Sequence, residues 1–137
     1  MESVSGESLG LSQQKLIAKV AQSDAGLSFK ALLHFQNASG LSLTAIGDVI
    51  DLPKSTMRLR RQQNKLSRHE SDRLIRLSRI FEQARDLFEG DVSLAREWLA
   101  SPCRALGSAT PLEFAATELG AREVERVIAR LIHGVFT

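Results

Sequence analysis

The sequence predicts an all-α protein of about seven helices, and three observations support this fold class. Apolar residues recur at spacings of three and four along most of the chain, whereas no segment alternates with the period of a strand. Ser, Thr or Asp precedes most of these apolar runs, as at helix N-termini. A length of 137 residues with 43% apolar side chains suffices for one compact domain, or for two small helical modules that share a core.

The predicted helices follow one another with short breaks. Their N-cap residues, in chain order, are Ser12, Ser28, Ser42, Ser67, Asp91 and Thr110. A further basic helix follows Pro53. Glutamates three residues after Ser67 and Thr110 predict a capping box at each. The last helix is predicted from apolar residues at positions i, i+3, i+4 and i+7, which are Val124, Val127, Ile128 and Leu131. It is expected to end near Gly134, and Trp98 is assigned to the core.

Basic residues are concentrated in one segment, residues 54–79. It holds nine of the eighteen Lys and Arg side chains and only two acidic ones, so its net charge is +7 in a chain of net charge +2. The nine are Lys54, Arg58, Arg60, Arg61, Lys65, Arg68, Arg73, Arg76 and Arg79. Such a cluster indicates a phosphate-binding surface, although a solvated helix face would carry the same signal.

Residues 42–63 have the pattern of a helix-turn-helix. Gly47 supplies the small residue that two crossing helices need, and four apolar residues have inward-facing spacings: Ile46, Ile50, Leu52 and Met57. Two positions depart from the pattern, because Asp51 stands where glycine is common and Arg60 stands where an apolar residue is usual. The alternative is an αα-hairpin with a basic face and no contact to DNA.

The second helix of this motif supplies the candidate DNA-binding residues. They are Lys54, Ser55, Thr56, Arg58 and Arg61, at its start and on its outer face. From there they can reach phosphates and base edges in a major groove, and the two arginines can each make a bidentate contact to guanine. Because a single helix-turn-helix binds weakly, we expect a homodimer on a two-fold operator. The sequence leaves open which module dimerises.

Several function classes find no support in the sequence. Cys103 is the only cysteine, so the chain can form no internal disulfide, and the three histidines lie far apart with no metal-ligand spacing. We therefore expect no metal and no cofactor, and no catalytic constellation stands out. No apolar stretch reaches the length of a membrane span, and residues 1–10 do not resemble a secretory signal. A cytoplasmic protein without membrane contact is predicted.

From Leu66 onward the sequence resembles the Xre/MbcA/ParS family of antitoxins. The resemblance lies in LSRHESDRLIRLSRIFEQARDLFEG and in AREWLASPCRALGSATPLEFAATELGAREVERVIARLIHGVFT. The preceding helix-turn-helix is also typical of this family, and the first 25 or so residues lie outside the resemblance. The seam between the two modules is expected near residues 64 to 70, or inside the helix that follows. We therefore divide the chain into an N-terminal helix-turn-helix DNA-binding module over residues 1–66 and a C-terminal helical module over residues 67–137, which the resemblance implies to be toxin-binding.

The resemblance also implies a function. Members of the family are antitoxins of type II toxin–antitoxin systems, commonly encoded beside a RES-domain toxin that degrades NAD. The antitoxin blocks the active site of the toxin by direct contact, and it represses its own operon by binding operator DNA. The implied partners of this chain are therefore a cognate RES-domain toxin and an operator.

The C-terminus suggests how the toxin is blocked. The candidate toxin-binding residues are Arg130, His133, Gly134, Val135, Phe136 and Thr137. Gly134 permits a turn off the helix axis, Phe136 is an apolar anchor and the terminal carboxylate is an anion. We hypothesise that this tail enters the toxin's pocket and competes with the dinucleotide for its pyrophosphate-binding donors. The alternative is that Val135 and Phe136 fold back onto the last helix.

Two other functions remain alternatives to an autorepressing antitoxin. The first is an Xre-type transcriptional regulator whose C-terminal module only dimerises. The second is a small helical enzyme, for which the sequence offers no set of catalytic residues. A toxin gene beside this one would favour the antitoxin, whereas an isolated gene would favour the regulator.

Overall fold

The computed structural model describes residues 26–134, which form seven α-helices and no strand. The helices are α1 (Phe29–Ser39), α2 (Leu43–Ile50), α3 (Lys54–Gln63), α4 (Arg68–Leu87), α5 (Val92–Leu99), α6 (Pro111–Phe114) and α7 (Glu118–His133). A single 3-10 turn, Arg104–Leu106, lies between α5 and α6. The predicted all-α fold is thus confirmed. The helix predicted after Ser12 lies outside the described residues.

Local signals in the sequence account for most helix starts. The side chains of Ser28, Ser42, Ser67, Asp91 and Thr110 each accept a hydrogen bond from the backbone N–H three residues later. Each such cap contributes about 1 kcal/mol to stability. Both predicted capping boxes form. The Thr110 box opens only the four-residue α6, and α7 has a separate N-cap, Thr117, that the sequence analysis did not identify.

The long helix α4 lies at the centre of the molecule. Its apolar residues Leu74, Leu77, Ile80 and Phe81 are fully buried, and the helix packs against α2, α5 and α7. The ring of Phe81 meets that of Phe35 from α1 edge to face, with centroids 5.7 Å apart. One continuous hydrophobic core therefore runs from α1 to α7 through α4. The division into modules at residues 66 and 67 remains a prediction.

The last helix keeps its apolar face beyond the part that is buried. Val124, Val127 and Ile128 are buried, but Leu131, the last residue of the predicted apolar repeat, is 42% exposed. Ile132 is 48% exposed, and every residue from position 129 to 134 is exposed. The periodicity of the helix continues for one turn after its packing partners end. Trp98 is half-buried and packs against the core.

Candidate functional site

The junction of α2 and α3 has the geometry of a helix-turn-helix. A Cβ atom on Gly47 would lie 2.6 Å from the carbonyl oxygen of Leu52, so only glycine fits where the turn crosses α2. Asp51, the first departure from the sequence pattern, ends α2 in the left-handed conformation with φ of 60°. Aspartate is one of the few non-glycine residues that adopt this conformation readily. This departure is therefore compatible with the motif.

The candidate DNA-binding residues are not all equivalent. Lys54, Ser55, Arg58 and Arg61 are exposed, whereas Thr56 is half-buried. Lys54, Arg58 and Arg61 lie at positions i, i+4 and i+7 and so form one basic stripe along α3. Thr56 lies on the opposite side of the helix.

The start of α3 also exposes backbone donors. Pro53 is its N-cap and supplies no side-chain hydrogen bond, unlike the serine that caps α2. Within the described part of the chain, the first amides of α3 thus receive no side-chain cap, and they point along the helix axis outward. The N-terminus of a helix carries partial positive charge and attracts phosphate. It reinforces the basic stripe that begins at Lys54.

The C-terminal end of α3 is held by the start of α1. The guanidinium carbon of Arg61 lies 5.0 Å from the ring centroid of Phe29, a cation–π distance. Nearby, the backbone N–H of Lys30 donates to Oδ1 of Asn64 at 3.3 Å. Arg61 is therefore oriented by an aromatic ring as well as exposed at the surface. The ring contact restricts how far its side chain can reach toward a base.

Arg60, the second departure from the motif, forms an ion pair between α3 and α4. Its Nε donates to Oε1 of Glu70 at 2.8 Å and its Nη2 donates to Oε2 at 3.2 Å. Oε1 also accepts the backbone N–H of Ser67 in the capping box. Burial raises the pKa of the Glu70 carboxyl, but the bonds from Arg60 and Ser67 outweigh burial, and the pKa lies below its ordinary value. Arg60 thus connects α3 to α4 and is not part of the basic stripe on α3.

The basic segment of residues 54–79 does not form a single surface. Arg76 and Arg79 on α4 pair with Glu118 and Glu125 of α7, and Arg60 pairs with Glu70. These three arginines connect helices. The exposed positive charge of residues 54–79 therefore lies mainly on α3 and directly next to its ends. Charge counting alone missed this division, because the glutamate partners of Arg76 and Arg79 lie about 40 residues further along the chain.

The candidate toxin-binding residues that the structure describes are exposed at the end of α7. Arg130, His133 and Gly134 are all at the surface. Gly134 ends α7 in the left-handed conformation with φ of 67°, and its N–H donates to the carbonyl oxygens of Arg130 and Leu131, so the helix ends where the sequence predicts. Val135, Phe136 and Thr137 lie outside the described residues. The exposed Leu131 and Ile132 adjoin this group.

One cleft in the described part of the chain has no set of catalytic residues in its lining. A cleft of about 420 Å³ lies between α2, the end of α5 and α6, and it is lined mainly by Ala45, Val49, Ala100 and Leu112. Its acidic side chains, Asp48 and Glu113, have no base beside them in this lining. Among residues 26–134, no three metal-ligating side chains converge, and no helix has the length and hydropathy needed to cross a membrane.

Relatives of the chain are found among proteins with the name Antitoxin Xre. The protein from Yersinia enterocolitica is 39% identical over 84 residues, which cover 61% of this chain and 57% of the relative. The protein from Photorhabdus laumondii is 40% identical over 73 residues, covering 53% and 49%, and that from Pseudomonas putida is 30% identical over 84 residues, covering 61% and 52%. The chain spans about half the length of the curated relatives it matches.

Two family models match consecutive parts of the chain. Residues 18–79, which include α1 to α3 and the first half of α4, match the antitoxin Xre-like helix-turn-helix domain. Residues 83–134, which include α5 to α7, match the antitoxin Xre/MbcA/ParS C-terminal toxin-binding domain. The first match agrees with the helix-turn-helix geometry at Gly47, and the second contains the exposed end of α7. The chain therefore combines an antitoxin Xre-like helix-turn-helix domain with an antitoxin Xre/MbcA/ParS C-terminal toxin-binding domain, in that order.

Proposed function

We propose that this chain is the antitoxin of a type II toxin–antitoxin system. It binds a RES-type, NAD-degrading toxin and blocks its active site, and it represses its own operon by binding operator DNA. The observation that carries the proposal is the succession of an Xre-like helix-turn-helix and a toxin-binding domain in one chain. Its partners are thus a protein and DNA, it acts in the cytoplasm without a cofactor, and it is not an enzyme.

The DNA-binding half of the proposal is supported by the surface of α3. Lys54, Arg58 and Arg61 form a basic stripe that begins at an exposed helix N-terminus, and Ser55 is exposed beside it. A helix presented in this way enters a major groove with its N-terminal residues nearest to the bases. A homodimer places two such helices on the two halves of a palindromic operator.

The toxin-binding half is supported by the exposed last turn of α7. It combines basic side chains, Arg130 and His133, with the apolar Leu131 and Ile132. Gly134 ends the helix at this point in the left-handed conformation. In the proposed complex this surface contacts the toxin, and the tail of Val135, Phe136 and Thr137 enters the NAD pocket. Its carboxylate there competes with the dinucleotide pyrophosphate for hydrogen-bond donors.

A second candidate function is a transcriptional regulator whose C-terminal module only dimerises. The exposed Leu131 and Ile132 favour this alternative, because two copies of one apolar surface can bury each other around a two-fold axis. The same surface cannot serve the toxin and a second copy at once. Toxin binding that leaves the oligomeric state of the chain unchanged would argue against this alternative.

The test is co-expression of the chain with the protein encoded next to it, with cellular NAD and growth as readouts. The neighbour alone is expected to deplete NAD, and the full chain is expected to restore it. A variant without residues 134–137 is expected to fail while still binding operator DNA. Full protection by the truncated variant would rule out an essential tail. If the neighbour expressed alone leaves NAD unchanged, the pairing with a RES-type toxin is wrong.

A further inference from the structure

Two arginines of α4 contact the last helix instead of contributing to the DNA-binding surface. Arg79 donates through Nε to Oε2 of Glu125 at 2.8 Å, and Arg76 donates through Nη1 to Oε1 of Glu118 at 3.2 Å. The two arginines are three residues apart and therefore lie on one face of α4. The two glutamates are seven residues apart and therefore lie on one face of α7. Two ion pairs thus connect α4 and α7 at points two turns apart along α7.

Arg76 also contacts the joint between α6 and α7. Its Nη2 donates to the backbone carbonyl oxygens of Ala115 and Ala116, at 3.5 and 3.2 Å, directly after α6 ends. The Arg76 side chain is only 12% exposed. A guanidinium with so little access to water needs several acceptors in the right places. Here a carboxylate and two carbonyls supply them for Nη1 and Nη2, whereas the buried Nε has no hydrogen-bond partner within the described residues. The contacts therefore fix where α7 begins relative to α4.

The apolar contacts of α7 define its position less precisely than the ion pairs of Arg76 and Arg79 do. Its buried residues are Ala121, Val124, Val127 and Ile128, all aliphatic. Aliphatic packing is non-directional, and related packings that differ slightly in rotation or register bury similar areas. Ion pairs with a guanidinium require a defined geometry. The Arg76 and Arg79 contacts thus select one arrangement among those that would bury the same face.

We propose that Arg76 and Arg79 are positioning residues for toxin binding. They hold α7 in the rotation and register that present Arg130 and His133 to the toxin, and they act through Glu118 and Glu125 without touching the toxin themselves. The inference rests on the proposed function of the α7 end. It assigns the basic segment two tasks, with α3 serving DNA and the Arg76–Arg79 face of α4 serving toxin recognition.

The test measures the affinity for the purified RES-domain protein encoded beside this chain by isothermal titration. Arg79→Glu places a carboxylate against Glu125 and is expected to weaken toxin binding by about tenfold or more. The reversed pair, Arg79→Glu with Glu125→Arg, is expected to recover affinity to within about threefold of wild type. The control is Arg104→Glu, an equal charge change at an exposed residue between α5 and α6, with an expected effect below about twofold.

Hydrogen–deuterium exchange provides a second readout that does not require the toxin. Faster exchange in residues 126–134 is expected in Arg79→Glu, with normal far-UV circular dichroism, and wild-type protection is expected in the reversed pair. The proposal is overturned by wild-type toxin affinity in Arg79→Glu, by unchanged exchange in α7, or by a reversed pair as weak as the single variant. Absence of toxin binding by the wild-type chain would instead show that the proposed function is wrong.

Discussion

At the scale of single residues, Glu70 has two structural roles. Its carboxylate closes the capping box of α4 and accepts two hydrogen bonds from Arg60 of α3. The residue is 6% exposed, so water replaces these bonds poorly if either partner is removed. Arg60 stands where the helix-turn-helix pattern usually has an apolar residue. Its ion pair with Glu70 connects α3 to the long central helix α4.

The Glu70→Gln variant is expected to be less stable than wild type by about 1–2 kcal/mol at pH 7. Because the folded-state pKa of Glu70 lies below its ordinary value of 4.5, this stabilisation is complete above the unfolded-state pKa. It is lost as the pH falls through the folded-state pKa. Urea unfolding at pH 7, 5 and 3 should therefore show the difference between the two proteins shrinking at acid pH.

The control for this pH dependence is Glu89→Gln, which neutralises an exposed glutamate after α4. It is expected to change the unfolding free energy by less than about 0.5 kcal/mol at each pH. A Glu70→Gln difference that stays constant between pH 7 and pH 3 would contradict the assignment of the stabilisation to the ionised carboxylate.

Gly47 is a second single-residue determinant. Gly47→Ala is expected to destabilise the chain by about 1–3 kcal/mol, because the added Cβ lies 2.6 Å from a backbone oxygen that cannot move aside without distorting the turn. This cost exceeds the gain in helix propensity of about 1 kcal/mol. Urea unfolding measures the loss, with Asp48→Ala at the exposed neighbouring position as control. A stabilised Gly47→Ala variant would show that the helices do not cross closely here.

At the scale of elements, α3 determines the affinity for DNA in the proposed function. Arg58→Ala is expected to weaken operator binding and to lower the slope of log affinity against log salt by about one, because one phosphate contact is lost. If Arg58 instead contacts guanine, the loss is larger on the operator than on unrelated DNA. Fluorescence anisotropy over a salt series on both DNAs separates the two cases.

Arg104→Ala serves as the matched control for the DNA measurements. Arg104 is exposed in the 3-10 turn between α5 and α6, far along the chain from α3. The same change of charge at this position is expected to leave both the affinity and the salt slope nearly unchanged. Equal losses for Arg58→Ala and Arg104→Ala would mean that net charge, and not the surface of α3, governs DNA binding.

At the scale of the whole molecule, α4 joins the helix-turn-helix and the C-terminal helices through one shared core. Its buried face contributes to the core on the side of α1 and α2 as well as on the side of α5 and α7. Arg96 of α5 adds a polar contact, because its Nη1 donates to the carbonyl oxygen of Ser39 at the end of α1. Neither domain can therefore lose its structure without exposing apolar surface of the other.

We expect a single cooperative unfolding transition for the full chain. Trp98 lies in the C-terminal half and reports on that half by fluorescence, whereas far-UV circular dichroism reports on all helices. The two signals should have coincident midpoints in urea, because the shared core couples the halves. Two separated transitions would show that the domains unfold independently despite their contacts.

The secondary structure follows closely from the sequence because its signals are local. The capping residues, the Gly40 and Gly134 helix ends and the apolar periodicity each act within a few residues, and the helices from Ser28 onward form where these signals occur. The helix-turn-helix was also predictable, since Gly47 and its apolar neighbours lie within one short segment. Leu131 shows the limit of periodicity, because a repeat predicts which face is apolar and not how far its packing partner extends.

The distribution of charge was decided by the tertiary structure. The count of basic and acidic residues along the sequence placed Arg60, Arg76 and Arg79 in one phosphate-binding cluster. In the structure, each of the three is paired with a glutamate on another helix. Such pairs join residues 10 to 46 positions apart, and no local pattern encodes them. The sequence by itself therefore determined the all-α fold class, most helix starts and the helix-turn-helix, and it indicated the family. Only the tertiary structure decided which arginines of residues 54–79 are paired, because a guanidinium forms an ion pair with whichever carboxylate the fold brings within hydrogen-bonding distance.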